Sequence, residues 1–152
     1  MLMNYVDVLE EQYRDGMNTF WRNAKAMPAD KIEWKPSPDS RTARTLMEEI
    51  VMTTGYSAKL ISTMQVPTDS PSMDPSEDKK SIEDMEAEHR ASAEDYLKAA
   101  KEFPEDKLKD TIELPWGKMT FLEVINYPYW NLMYHYGQIA YIQMMYGDKE
   151  MH

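Results

Sequence analysis

Asn131 and His135 stand four residues apart in the stretch YWNLMYHYGQIAYIQ, residues 129–143. On a helix that spacing puts both side chains on one face, as a pair of metal ligands or as two halves of a polar contact. The residues around them are mostly apolar, so each needs a partner from elsewhere in the chain. Glu49 is a candidate. It follows Leu46 by three and precedes Thr53 by four, so it borders an apolar stripe, whereas Glu48 points about a hundred degrees away. If the segments carrying Glu49 and His135 pack together, a carboxylate, an amide oxygen and an imidazole converge in a half-buried cleft. Two chemistries suit such a trio. In one, Glu49 accepts a hydrogen bond from His135 and Asn131 completes a polar network. In the other, the three hold a divalent metal with open positions for water and substrate. One imidazole beside a carboxylate and an amide is a harder ligand set than three imidazoles, which shifts the preferred ion toward Mn, Fe or Mg.

Two further histidines are weaker candidates. His89 falls within an apolar stripe and reads as a satisfied core residue, with a place in the cleft as the alternative. His152, at the C-terminal end, is expected to be disordered. Gly137 interrupts a helical pattern at a cost of ~1 kcal/mol against Ala, and close approach of a neighbouring backbone is its expected purpose. Other chemistries are not indicated. There is no Cys, which removes thiolate nucleophiles and thiolate metal sites, and only five Gly, with no Gly-rich phosphate loop and no Gly-x-Ser-x-Gly elbow.

Proline punctuates the elements that must position these residues. Pro28, Pro36 and Pro38 mark one break, Pro67, Pro71 and Pro75 a second, Pro104 and Pro115 a third. Between them run four helical patterns. The first carries Val6, Leu9, Tyr13, Met17, Phe20, Ala24 and Met27 in steps of three or four. The second carries Leu46, Ile50, Thr53, Ser57, Ile61 and Met64, with Thr42 as its cap. The third runs from Ile82 through Met85, His89, Ala93, Tyr96 and Ala100 to Phe103, with Ser81 as cap and Asp84 three residues on. The fourth holds Phe121, Ile125, Pro128, Leu132, His135, Ile139, Ile142 and Tyr146, between a Thr120 cap and a Gly147 stop. Pro128 is expected to kink it just before Asn131. Only 111–119, TIELPWGKM, reads as a short hairpin.

This is an all-α pattern, and four long amphipathic helices in one domain, residues 1–152, predict a four-helix bundle. The second break is long: residues 66–78 could span ~43 Å when extended, enough for a crossover that leaves helices two and three parallel. Helix four stands apart. Between Phe121 and Tyr146 its only formal charge is Glu123, and six of the ten Tyr lie there. Such a helix must be covered on nearly every side, which predicts a homodimer that buries part of it.

The net charge of −10 argues against a nucleic-acid partner, because phosphate binding relies on clustered Lys and Arg. Residues 74–106 hold twelve Asp/Glu against five Lys/Arg, a solvated acidic face. The first residues lack the basic-then-apolar pattern of a secretion signal, and no apolar run is long enough to span a bilayer. With no Cys, these features point to a soluble cytoplasmic protein.

The segment Asn131-x-x-x-His135-Tyr136-Gly137-Gln138-Ile139, closing at Tyr146-Gly147, resembles the final motif of the DinB-like (YfiT-like) superfamily, His-x-x-x-His-x-Gly-Gln-Ile. Trp34-Lys35-Pro36 followed by Arg41 to Ile50 is similar to that family's lead into helix two, which ends in its first metal-binding His. The resemblance implies a four-helix bundle of up-down-down-up topology, often dimeric, with a three-His site for Zn or Ni. Some members are thiol-dependent transferases or isomerases, and many have no assigned activity. On that match Glu49 stands at the first His, Asn131 at the second, and only His135 is retained. Two functions follow as expectations. One is a dimeric bundle with a degenerate metal site that is non-catalytic or binds a small ligand. The other is a divalent-metal enzyme of thiol-transferase or hydrolase type, using His135 with Glu49 and Asn131 and an ion such as Zn, Ni, Mn or Fe.

Overall fold

All four helices start where a side-chain oxygen can take up a backbone N–H that the first turn leaves unpaired. In the computed structural model, which describes residues 4–68 and 79–152, Asn4 accepts from the N–H of Asp7 at the start of α1 (Tyr5–Lys25). Thr42 accepts from Thr45 ahead of α2 (Ala43–Thr63), and Ser81 from Asp84 ahead of α3 (Ile82–Glu102). Thr120 opens α4 (Phe121–Met145) with a reciprocal box, in which Glu123 reaches back to the Thr120 N–H. At the far end Gly147, with φ of 99°, turns the chain so that the Asp148 N–H reaches the Gln143 carbonyl. His152 is not stray: it folds back onto Asp148, Nε2 to Oδ2 2.8 Å.

Between α3 and α4 lies the expected hairpin, β1 (Thr111–Leu114) paired antiparallel with β2 (Gly117–Thr120), Leu114 opposite Gly117. The chain reverses at Pro115-Trp116; Pro115 cannot supply the positive φ of the usual two-residue hairpin turns, and Gly117, with φ of 139°, follows as the first residue of β2.

Contacts between helices fix the topology. Lys101 pairs with Glu10, Arg14 with Glu94, and Lys25 with Glu86, so α1 and α3 run antiparallel. Tyr5 reaches Asn126 and Gln143 reaches the Asn23 carbonyl, so α1 and α4 are parallel. Glu49 meets His135 while Tyr56 and Leu60 share a cleft with Tyr127 and Val124, so α2 and α4 are antiparallel. Thr54 meets His89 and Ser62 shares a groove with Glu102, which leaves α2 and α3 parallel. The bundle is up-down-down-up. Its crossover, with Pro71 and Pro75, lies mainly outside the described residues.

The buried stripes of α1, α3 and α4 follow the sequence periodicity, from Leu9 to Met27, Met85 to Ala100 and Phe121 to Ile142. In α2 the buried threonine is Thr54 and not Thr53, and Met64 ends the helix half-exposed in a left-handed conformation. α4 continues through Pro128, whose ring takes one donor from the ladder. The Tyr96 hydroxyl donates to the Ile125 carbonyl in that turn, at 2.6 Å. Among the described residues no atom lies within 4 Å of where a Cβ on Gly137 would be, so they supply no close approach there.

His89 is fully buried at the centre. The Trp21 indole N–H donates to its Nδ1 at 2.8 Å, which fixes the proton of the neutral ring on Nε2. That Nε2–H faces the Tyr13 hydroxyl at 2.8 Å; Tyr13 donates on to Thr54, and Thr54 to the Ile50 carbonyl. Every donor in this relay has an acceptor. Burial, with a smaller push from Arg90, takes the His89 pKa down from 6.5 to about 3. Unfolded His89 therefore binds a proton that the folded residue refuses, and stability is expected to fall as pH drops from about 6.5 toward 3. His89→Leu should lose about 1–3 kcal/mol at neutral pH, because it leaves the Trp21 N–H buried and unpaired. It should also flatten the pH dependence across that window. Denaturant titrations at several pH values measure both, and an unchanged slope would mean that His89 is not held neutral.

Candidate functional site

Glu49 projects from the second turn of α2 toward α4, where Asn131 and His135 occupy one inward face a turn apart. The three predicted residues meet. His135 Nε2 lies 2.9 Å from Glu49 Oε1, and Asn131 Nδ2 donates to the same oxygen over a long 3.4 Å. Asn131 and His135 are buried and Glu49 is half-buried, so the knot lies on the seam between the helices.

Two partners were not foreseen. Arg41, just before the Thr42 cap, turns its guanidinium onto Glu49 Oε2 as an ion pair and also reaches the Thr45 carbonyl. Gln138, one turn beyond His135, sets its Oε1 2.6 Å from Nδ1. The Gln138 signal was present as an i,i+3 pair, but Arg41 lies outside the helix, where periodicity gives no direction. His89 stays out of the site, held by Trp21, Tyr13 and Thr54.

The electrostatics follow from these contacts. Burial pushes the Glu49 carboxyl up, but hydrogen bonds and charge from His135 and Arg41 outweigh it, and its pKa lies below the ordinary 4.5. His135 has an oxygen against each ring nitrogen. Protons on both satisfy the pair, as in the imidazolium; a neutral ring requires the Gln138 amide to present its NH2 instead. Asn131 Oδ1 is buried and finds no partner among the described residues.

Beside Glu49 opens a cleft of about 360 Å³ between α2, α4 and the hairpin. Met52, Tyr56, Leu60, Trp116, Met119 and Tyr127 form its apolar wall, and Thr53 and Ser57 add hydroxyls. Tyr56 and Trp116 sit ring to ring at 6.1 Å.

With this geometry established, comparison with known proteins gives a family. A profile of the DinB superfamily matches residues 8–139. The chain belongs to the DinB superfamily. Among solved structures, the crystal structure of a DinB-like protein, YjoA from Bacillus subtilis, superposes with a TM-score of 0.70. It shares 18% sequence identity, and the match covers 95% of this chain and 96% of that one, a likeness of fold. No curated protein matches the chain.

One imidazole meets the carboxylate here, the carboxylate also carries a guanidinium, and among the described residues no group of three or more His, Cys, Asp or Glu is placed to hold a metal ion. A fixed cation a few ångströms away also raises the cost of admitting a second one.

Because the lowered pKa of Glu49 makes its carboxylate stabilising above about 4.5, that contribution is lost as pH falls through the folded value. Arg41→Gln removes one of the two hydrogen-bonding partners that hold the Glu49 pKa down. The Glu49 carboxyl resonance should then titrate at higher pH than in the wild-type chain. An unmoved titration would show that Arg41 does not act on Glu49 in solution.

Proposed function

We propose that this DinB-superfamily chain is a non-catalytic bundle that binds a small, largely apolar molecule in the cleft beside Glu49. The observation carrying this reading is the closed state of the carboxylate: Arg41 covers one oxygen, and His135 and Asn131 share the other. A group so engaged is poorly placed to act as a general base or as an open ligand. The neighbouring cleft has the size and the mixed lining of small-molecule sites, mostly apolar with a few polar groups. Thioethers from Met52 and Met119 adapt to shape, and the rings of Tyr56, Trp116 and Tyr127 offer flat faces for a planar ligand.

A second reading, a divalent-metal enzyme of thiol-transferase or hydrolase type, draws support from one atom. Asn131 Oδ1 is buried without a partner, and a hard ion held with Glu49 and His135 would satisfy it.

Two measurements separate these readings. Chain purified without chelator is expected to contain no stoichiometric Zn, Ni, Mn or Fe and to show no melting shift when those ions are added. Stoichiometric metal lost in His135→Ala would establish the second reading. For the cleft, the neutral fluorophore N-phenyl-1-naphthylamine should bind with enhanced emission. Trp116→Ala should weaken that binding at least ~10-fold without lowering stability by more than ~0.5 kcal/mol, since Trp116 is 61% exposed. Equal binding by the variant would remove the cleft from the proposal.

A further inference from the structure

Six Ser and Thr residues lie in α2, and two of them differ from the rest. Thr45 bonds the hydroxyl of the Thr42 cap, Thr54 donates to the Ile50 carbonyl, and Ser62 and Thr63 donate to the Lys59 carbonyl. Thr53 and Ser57 have no hydrogen-bond partner among the described residues. A helical hydroxyl can fall back on a carbonyl one turn earlier, and these two do not. Ser57 is only 4% exposed, where an unpaired polar group is costly. Both line the cleft beside Glu49. With Glu49 they repeat every four residues, so each step turns ~40° round the helix and rises ~6 Å along it. The result is a polar row on α2 in a wall otherwise built of rings, thioethers and aliphatic groups.

We propose that Thr53 and Ser57 select the ligand of this cleft, and that the ligand is an uncharged planar aromatic carboxamide. The proposal rests on the cleft being a small-molecule site and adds the chemistry that site recognises. Each hydroxyl can both donate and accept. A carboxamide offers one group of each kind in the plane of its ring, so one hydroxyl donates to its carbonyl and the other accepts from its NH2. The ring then lies among Tyr56, Trp116 and Tyr127.

Charge excludes the matching carboxylate. Among the described residues no Lys, Arg or His lines the cleft, and Glu49 is its one formal charge. Arg41 and His135 hold Glu49 from outside that lining. A ligand anion would lose its water and find two hydroxyls and a carboxylate but no cation. The carboxamide has the same outline and carries no charge. A hydrocarbon of that outline can fill the space, but it leaves both hydroxyls unpaired.

Isothermal titration calorimetry of the full chain at neutral pH tests this with 2-naphthamide, 2-naphthoate and 2-ethylnaphthalene. The carboxylate is expected to bind at least ~10-fold more weakly than the amide. Ser57→Ala and Thr53→Val should each weaken the amide at least ~3-fold and leave 2-ethylnaphthalene bound as tightly or more so. Neither variant should melt lower than the wild-type chain, because neither hydroxyl has a partner among the described residues to lose. Equal affinity for amide and carboxylate would overturn the proposal, and so would amide binding that both variants leave unchanged. Either result leaves the cleft reading intact if N-phenyl-1-naphthylamine still binds. Failure of that fluorophore, the hydrocarbon and the amide alike would remove the cleft as a site, and this proposal with it.

Discussion

Antiparallel packing of α2 against α4 is the constraint on which the chemistry of this molecule depends. Glu49 lies in the second turn of α2, and only an antiparallel neighbour brings the later turns of α4 opposite it. Were the two helices parallel, Glu49 would face the first turns of α4, and a carboxylate on an apolar seam would lack partners. Half-burial of a carboxylate is tolerable only when donors compensate for lost water. The seam supplies them from both sides, His135 and Asn131 from α4 and Arg41 from the start of its own helix. The same seam, continued toward the other end of α2, diverges into the cleft closed by the hairpin.

Much of this arrangement was legible in the sequence because it follows from periodicity and capping, which are local. Thr42, Ser81 and Thr120 begin helices where they should, and the stripes of α1, α3 and α4 are buried as spaced. The meeting of Glu49 with His135 was legible because each lies at the inward edge of its stripe. What escaped was non-local or lay between elements. α2 packs on α3 and α4 together, so its apolar face is broad. Thr54 turns to His89 on one side and Thr53 to the cleft on the other, and a single stripe could not tell them apart. Arg41 precedes its helix, where no spacing rule fixes a side chain's direction. The cleft depends on Trp116 at a hairpin tip folding back over Tyr56, a contact across sixty residues. The crossover required by parallel α2 and α3 was anticipated from length alone, and most of it lies outside the described residues.

α4 appears uniformly apolar in sequence, yet its two sides differ in kind. The inner side carries branched aliphatics, Ile125, Leu132, Ile139 and Ile142, whose few rotamers suit a close-packed core. The outer side carries Trp, Tyr and Met, which are large, flat or flexible and can make a contact surface. The acidic excess lies elsewhere, concentrated along α3, where Lys25 and Arg14 of α1 reach across to Glu86 and Glu94. Formal charge is thus densest on α1 and α3, and α4 carries a single formal charge, Glu123.

The Glu49 knot shows how a cation supplied by the chain differs from one supplied by solution. A bound metal offers vacant coordination positions, and its charge is mobile enough to be lost to competition or chelation. The Arg41 guanidinium is tethered; its donors are fixed in direction, and it offers no vacant coordination position. It balances the charge of Glu49 from a fixed position at the start of α2. The adjoining cleft differs in kind: thioethers and rings make up most of its wall, with the Thr53 and Ser57 hydroxyls beside Glu49.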